Sequence, residues 1–181
     1  MHDLDTVDIA CGQFVHRHHI LRVMVFDFKQ VGNLTIGIFR QIAAYLHIES
    51  FIPSHRNKVN FFGCVFSDDS ANPFSEKVVR STAGALIPAY VERVKLSEAI
   101  SSLKAEGFAV VSSELDETAR KLSDFPSDVE KIALIVGNEG QGVSPAVSAA
   151  ADEKLYIPIK NTNSLNAAVA AAIMMHYFSE V

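Results

Sequence analysis

The stretch that decides the fold is IALIVGNEGQGVSP, which occupies residues 132–145. It opens with five apolar residues at 132–136, a run that is typical of a strand buried on both faces of a parallel sheet. Three glycines and a carboxylate follow within residues 137–142, and Ser144 and Pro145 suit the cap and first turn of a helix. The stretch therefore predicts a strand, a glycine-rich loop and a helix in succession.

The glycine-rich loop indicates a ligand site, because parallel sheets bind ligands at the carboxyl ends of their strands. Glycine allows a close backbone approach and positive φ. The glycine spacing differs from that of the phosphate-binding loop and from the Gly-x-Gly-x-x-Gly dinucleotide pattern. A tight turn with incidental glycines is the alternative interpretation.

On either side of this stretch, short apolar runs alternate with helix-like segments. Further strands are predicted at residues 21–26, 61–66, 85–87, 108–111 and 155–157. Helices are predicted at residues 33–47, 74–84, 96–106 (capped by Gly107) and 165–178. This alternation predicts an α/β fold, with a mainly parallel sheet flanked by helices. Residues 112–130 are polar and are interpreted as a connector.

Length and composition favour one globular domain. The chain has 181 residues, of which 49% are apolar and 20% charged, enough to build a sizeable core. We expect a single domain at 21–181 after an N-terminal extension at 1–20 that can be poorly ordered. No apolar stretch approaches ~20 residues, so no membrane span is expected. Two cysteines and an acidic N-terminus without an apolar run fit a cytoplasmic protein.

Charge is unevenly distributed along the chain. The net charge of −5 argues weakly against coating nucleic acid by bulk charge. Residues 1–60 hold 6 basic and 5 acidic side chains, a net of +1, which leaves 10 and 16, a net of −6, for residues 61–181. A surface that faces a polyanion is therefore expected from the N-terminal third.

Two further motifs carry polar residues at helix ends. In YIPIKNTNSLNAAVA, residues 156–170, a strand ends and a helix begins with Ser164 and Asn166 in its first turn, where N–H groups are unpaired. Plain capping by Asn163 or Ser164 is the alternative. In NPFSEKVVRSTAGAL, residues 72–86, Arg80 suits a phosphate or carboxylate, with a surface ion pair as the alternative.

Together these motifs resemble the SpoU/TrmH-type RNA 2′-O-ribose methyltransferases of the SPOUT superfamily. The family's Gly-Asn-Glu-Gly-x-Gly-(Leu/Val)-Ser-Pro loop is matched at 137–145, its Ile-Pro…Ser-Leu-Asn segment at 157–170, and its Pro-x-Ser-x-Lys-x-Val-Arg stretch from residue 73. The resemblance spans residues 21–181. It implies the SPOUT fold with a C-terminal trefoil knot, and a homodimer that uses the Ala/Met-rich face of the last helix.

The resemblance also implies S-adenosyl-L-methionine as cofactor, and no metal is expected. Implied cofactor contacts are Val136, Gly137, Asn138, Gly140, Gly142, Ile157, Pro158, Ser164 and Leu165. The implied catalytic residues are Arg40, Glu139, Ser164, Asn166 and Asn33. For RNA, we hypothesise backbone contacts from basic residues whose alternative is a solvated tail or loop: Arg17, Arg22, Arg56, Lys58 and Arg80. The histidines at 16, 18 and 19 have no cysteine or carboxylate in metal-ligand spacing.

One family motif is irregular in this chain. Gln30 and Val31 stand where the family has Asp-Pro, and the spacing from Asn33 to Arg40 is one residue longer than in the family. One extra residue turns a helical face by about 100°, so Asn33 and Arg40 need not reach the same site. The family proposal makes the motif's arginine the base. Because guanidinium stays protonated, holding the phosphate and stabilising a developing alkoxide is the more conservative role for Arg40.

The sequence thus predicts a methyltransferase acting on a ribose 2′-hydroxyl of tRNA or rRNA. One alternative is a catalytically impaired homologue that binds RNA or cofactor without transferring methyl groups. A second is a different nucleotide-binding α/β enzyme that uses the loop at 137–142 for phosphate.

Overall fold

A computed structural model describes residues 22–27, 63–70, 72–81, 90–138, 140–160 and 165–179. The strands are β1 (Arg22–Asp27), β2 (Gly63–Ser67), β3 (Tyr90–Val94), β4 (Ala109–Ser113), β5 (Arg120–Lys121), β6 (Ile132–Gly137) and β7 (Glu153–Tyr156). The helices are α1 (Glu76–Ser81), α2 (Leu96–Ala105), α3 (Pro145–Ala150) and α4 (Ala167–Ser179). All seven strands form one sheet.

The strand order is β3-β2-β1-β6-β4-β7-β5, and every pair of neighbours is parallel. The predicted α/β class, a mainly parallel sheet flanked by helices, is therefore confirmed. Parallel pairing brings the carboxyl ends of all these strands to one edge of the sheet. The knot stays a prediction, since residues 161–164 lie outside the described part of the chain. The division of the chain at residue 21 also stays a prediction.

The core occupies both faces of the sheet, with β6 at its centre. Every residue of β6 is buried. Leu134 and Val136 pack in the cluster that contains α4, while Ala133 and Ile135 pack in the cluster that contains α2 and α3. Full burial of an aliphatic side chain contributes about 1.5–3 kcal/mol, so β6 anchors the fold and fixes the position of the loop that follows it. The prediction of a strand buried on both faces is confirmed.

Some predicted elements differ from the observed ones. The strand β3 was not predicted, and the predicted strand at 85–87 and helix at 33–47 lie outside the described residues. The segment interpreted as a connector contributes β5, which pairs with β7 at the sheet edge, and a 3-10 turn at Leu122–Asp124. Polar residues are tolerated there because an edge strand has one side open to solvent.

The last helix buries the residues that were expected to face a partner. Met174 and Met175 are fully buried in the cluster on the sheet. The interpretation of a methionine-bearing contact face is therefore wrong for these two side chains. Val169 and Ile173, by contrast, are 36% and 39% exposed.

Candidate functional site

The glycine-rich loop after β6 is a tight hairpin. The Asn138 N–H donates to the Gly142 carbonyl at 3.0 Å, and the Gly142 N–H donates to the Asn138 carbonyl at 2.7 Å. The Gly140 N–H donates to Asn138 Oδ1 at 2.8 Å. These internal bonds fix the loop against the end of β6.

Two of the three loop glycines are required by this geometry. A Cβ at Gly137 would lie 2.2 Å from the Gly142 carbonyl carbon and 2.3 Å from the Val143 nitrogen, which are backbone atoms that cannot move independently. Gly142 has φ +69°, a conformation that side chains disfavour. The interpretation of incidental glycines is therefore wrong at these two positions. At Gly140 the nearest atom to a Cβ would be the Asn138 Oδ1 at 3.4 Å, an ordinary contact.

An open pocket of about 300 Å³ lies beside this hairpin, at the carboxyl ends of β4, β6 and β7. Its size is at the lower end of the range for small-molecule sites, roughly 300–1,000 Å³. The described lining residues are Ser113, Glu114, Leu115, Val136, Gly137, Asn138, Gln141, Gly142, Val143, Leu155, Tyr156, Ile157, Ile159, Leu165, Ala167 and Ala170. Most are apolar, as is usual for small-molecule sites.

The structure brings most of the predicted cofactor contacts together in this pocket. Those that line it are Val136, Gly137, Asn138, Gly142, Ile157 and Leu165. Gly140 lies at the exposed tip of the hairpin, and Pro158 is exposed; neither is among the lining residues. Ser164 lies outside the described residues.

The sequence does not single out the part of the pocket wall formed by the end of β4 and the residues after it. Ser113, Glu114 and Leu115 line the pocket, but the sequence assigned them to a polar connector. The available signal was the parallel-sheet rule itself, because residues that follow any strand meet at the same edge. What the sequence did not indicate is that β4 lies between β6 and β7.

Glu114 is the one charged side chain among the described lining residues. Its Oε1 accepts a hydrogen bond from the Ser112 hydroxyl at 2.6 Å, and its backbone N–H donates to the Leu155 carbonyl at 3.0 Å. Ser112 is fully buried. Both the backbone and the carboxylate of Glu114 are therefore fixed.

An ion pair lies next to this wall. Lys154 Nζ is 2.7 Å from Asp116 Oδ2, while the Thr118 hydroxyl and N–H donate to Asp116 Oδ1 at 2.7 and 2.8 Å. These bonds, that from Lys154 foremost, lower the pKa of Asp116 to about 2. The pKa of Lys154 is raised, chiefly by its hydrogen bond to Asp116 and also by attraction to Asp116 and Glu114. The pair orders the chain that leaves the pocket wall.

The structure describes one of the predicted catalytic residues. Asn33, Arg40, Glu139 and Ser164 lie outside the described residues. Asn166 Oδ1 accepts hydrogen bonds from the N–H groups of Ala168 at 3.0 Å and Val169 at 3.3 Å. Asn166 thus caps α4, the role that the capping interpretation gave to its neighbours, and its part in catalysis stays a prediction.

The predicted RNA contacts are also largely outside the described residues. These include Arg17, Arg56, Lys58 and the side chain of Arg22, whose backbone begins β1. Arg80 forms an exposed ion pair with Glu76 at 2.5 Å. The interpretation of Arg80 as a surface ion pair is confirmed, and such pairs contribute little stability.

The described residue ranges contain neither a group of metal-ligand side chains nor a membrane-spanning helix. Across those ranges, no three histidine, cysteine or acidic side chains group as metal ligands would. The helices described here are also too short or too polar to cross a bilayer.

The fold and pocket define a parallel α/β protein with a pocket of small-molecule size at the carboxyl edge of its sheet. Residues 57–176 match the model of the SpoU rRNA Methylase family, and the chain belongs to that family. This membership argues against a phosphate-binding enzyme of another class. In the described part of the hairpin, the N–H groups of Asn138, Gly140 and Gly142 already bond within the loop.

Similar proteins agree with this assignment. The 23S rRNA (guanosine(2553)-2′-O)-methyltransferase RlmP of Bacillus subtilis (strain 168) is 40% identical over 114 residues, 62% of this chain and 45% of that protein. A TrmH-family putative RNA methyltransferase from Porphyromonas gingivalis superposes with TM-score 0.69 at 25% identity, covering 87% of this chain and 58% of that one.

An AdoMet-bound rRNA methyltransferase from Sinorhizobium meliloti has the same fold, with TM-score 0.68 at 23% identity over 87% of this chain and 54% of that one. The chain spans about half the length of the curated relatives it matches.

Proposed function

We propose that this chain transfers a methyl group from S-adenosyl-L-methionine to a ribose 2′-hydroxyl of rRNA or tRNA. The observation that carries the proposal is the pocket beside the hairpin. It combines backbone without a side chain at Gly142 with apolar walls at Ile157 and Leu165. Family membership and the names of the similar methyltransferases support the same activity.

The described residues fit this cofactor. The two faces of a purine ring are apolar, and Ile157, Leu165 and Ala167 offer apolar surface in one pocket. Gly142 also lines the pocket, and among the described residues no atom beyond its chain neighbours lies within 4 Å of where its Cβ would be, so a ligand can approach the backbone there. When bound, the cofactor supplies the electrophilic methyl group.

The protein's contribution is orientation and control of charge. The backbone of the hairpin and the ends of β4 and β7 hold the donor in one pose. Glu139, Ser164 and Asn166 are proposed to line the transfer site together with Arg40 and Asn33. Arg40 is proposed to hold the adjacent phosphate and stabilise the developing alkoxide, since a guanidinium does not release its proton.

The proposed function also includes RNA-binding residues, a homodimer interface and a cytoplasmic location. RNA contacts are assigned to Arg17, Arg22, Arg56 and Lys58, and a second copy of the chain is assigned to the exposed side of α4. A cytoplasmic location fits RNA substrates and a chain with two cysteines.

The test is transfer of a radiolabelled methyl group to RNA from cells that lack this gene, followed by nuclease mapping. Because the similar Bacillus protein is named for 23S rRNA, that RNA is the first to be assayed. We expect label in a 2′-O-methylated nucleotide. Absence of label, with cofactor binding shown by calorimetry, would contradict the proposal.

A variant of Arg40 tests the role proposed for this residue. Arg40→Ala should abolish transfer while cofactor affinity stays within about twofold, because the side chain acts on the RNA. Arg93→Ala, at an exposed arginine of β3 that bonds the Asp68 carbonyl, is the matched control and should retain activity. Equal loss of affinity and activity in Arg40→Ala would contradict this assignment.

A catalytically impaired homologue is the second candidate, and the irregular spacing of Asn33 and Arg40 favours it. Restoring the family spacing by deleting Leu34 distinguishes the two. Gain of methyl transfer in the deletion variant, with none in the natural chain, would select the impaired homologue.

A further inference from the structure

Glu114 is among the residues that line the pocket, and its carboxylate has no assigned role in the proposed reaction. Ser112 donates to Oε1, which leaves Oε2 and part of Oε1 to accept further hydrogen bonds. An ionised carboxylate cannot donate, so its ligand must carry donors or positive charge. A cofactor of the proposed kind offers both, as ribose hydroxyls at its nucleoside end and an ammonium group at its amino-acid end.

Strand order decides between the two ends. Glu139, one of the proposed transfer residues, belongs by sequence to the hairpin that follows β6. Glu114 follows β4, on the opposite side of β6 from β1. Neighbouring strands are about 4.8 Å apart, so Glu114 lies two strand spacings from β1. The reacting end of the donor is therefore assigned to the hairpin after β6, and its nucleoside end to the ends of β4 and β7.

The surroundings of Glu114 agree with this placement. The Glu114 N–H donates to the Leu155 carbonyl, and this bond joins Glu114 to the end of β7. Ile157 is the first residue after β7. Leu115, beside it, lines the pocket and is 67% exposed, so it offers apolar surface to a ligand. Ribose hydroxyls lie one ring away from a base. A carboxylate next to the apolar wall is therefore at the right place to accept from them, as acidic residues do in dinucleotide folds.

We propose that Glu114 recognises the ribose diol of the bound cofactor and that Ser112 is its positioning residue. This inference rests on the proposed function. It makes Glu114 a determinant of specificity for a ribonucleoside donor over a deoxyribonucleoside one.

Calorimetry with three ligands tests the inference: S-adenosylhomocysteine, its 2′,3′-dideoxy analogue, and 5′-methylthioadenosine, which lacks the amino-acid group. Glu114→Ala should weaken the binding of S-adenosylhomocysteine and methylthioadenosine by about ten- to hundredfold, the usual effect of losing charged hydrogen bonds. Affinity for the dideoxy analogue should stay within about threefold, since that ligand has no diol. Ser112→Ala should give the same pattern with a smaller loss.

Glu117→Ala is the matched control, because Glu117 is an exposed glutamate of the same segment and does not line the pocket. Thermal unfolding checks that each variant folds, and Glu114→Gln serves if the alanine variant does not. If Glu114→Ala weakened the binding of S-adenosylhomocysteine alone, Glu114 would contact the amino-acid end of the ligand, and the inference would be overturned. Equal loss for all three ligands, or no loss, would overturn it too. Failure of the natural chain to bind S-adenosylhomocysteine would instead overturn the proposed function and this inference with it.

Discussion

Asp27 accepts a hydrogen bond from the backbone N–H of Ser144 at 2.6 Å, although 117 residues separate them. Asp27 ends β1, pairs with Gly137 across the sheet and is 7% exposed. Ser144 precedes α3, where a carboxylate is favoured by the helix dipole. The bond therefore ties the end of the glycine hairpin to β1.

Asp27→Ala should lower the free energy of unfolding by about 1–3 kcal/mol, because it leaves a part-buried N–H unpaired. Urea unfolding measures this loss. Asp27→Asn keeps an acceptor oxygen and should lose less. Asp69→Ala, at an exposed position after β2, is the control and should change stability by less than about 0.5 kcal/mol. Equal losses in the Asp27 and Asp69 variants would contradict this role.

The loop glycines predict a graded series. Gly137→Ala should lower the free energy of unfolding by about 1–3 kcal/mol, because its Cβ would overlap the backbone of Gly142 and Val143. Gly142→Ala should cost about 1–2 kcal/mol, since its φ of +69° disfavours a side chain.

Gly140→Ala is the matched control, because a Cβ there meets only an ordinary contact. Urea unfolding and calorimetry with S-adenosylhomocysteine measure the series, and we expect cofactor affinity to fall most in Gly137→Ala. If Gly140→Ala lost as much stability as Gly137→Ala, overlap of the Gly137 Cβ with the backbone of Gly142 and Val143 would not be the cause.

Local patterns predicted most of the fold. The apolar run of β6 could only be a buried strand or helix segment, and the glycines after it favoured the strand. Gly107, with φ +83°, ends the last turn after α2 where the sequence places a cap. Such features depend on neighbours along the chain, so a single sequence contains them.

Features that depend on distant residues were not predictable. The strand β3 contains Glu92 and Arg93, which are acceptable only because this strand lies at the sheet edge. Ser144 precedes α3 as predicted, but its side chain makes no cap hydrogen bond, while its N–H bonds Asp27 instead. The wall at Glu114 required knowledge of strand order, which periodicity does not contain.

Burial of Cys64 predicts an unreactive thiol. Desolvation raises its pKa to about 12, so almost no thiolate exists near pH 8. In a Cys11→Ser background, Cys64 should react with a thiol reagent only on unfolding. The labelling rate in buffer and in urea measures this. Rapid labelling in buffer, at a rate equal to that in urea, would contradict the buried position.

The Asp116–Lys154 pair predicts a pH dependence of stability in acid. The pKa of Asp116 is lowered from 3.8 to about 2, first by the hydrogen bond from Lys154. Its stabilising contribution is therefore present above pH 4 and is lost as the pH falls from about 4 to 2. Lys154→Met should raise the pKa of Asp116 and flatten the stability profile in that window.

Lys77→Met, at an exposed lysine of α1, is the control and should leave the profile unchanged. NMR titration of the Asp116 carboxyl, with urea unfolding at each pH, provides the measurement. An unchanged Asp116 midpoint in Lys154→Met would show that the lysine is not its main stabilising partner.

The exposed side of α4 predicts how two copies of the chain associate. Val169 and Ile173 are four residues apart and so lie on the same face of the helix, while Ala171 and Met174 are buried against the sheet. Ile173→Glu should convert the proposed dimer to monomer, because a charge in an apolar interface loses its hydration without a partner. Val79→Glu is the matched control, since Val79 is 40% exposed on α1. Sedimentation equilibrium measures both variants. Because Ile173 is already part-exposed in a single chain, the glutamate should leave the unfolding of the monomer nearly unchanged. A dimer that persists in Ile173→Glu would move the interface away from this helix.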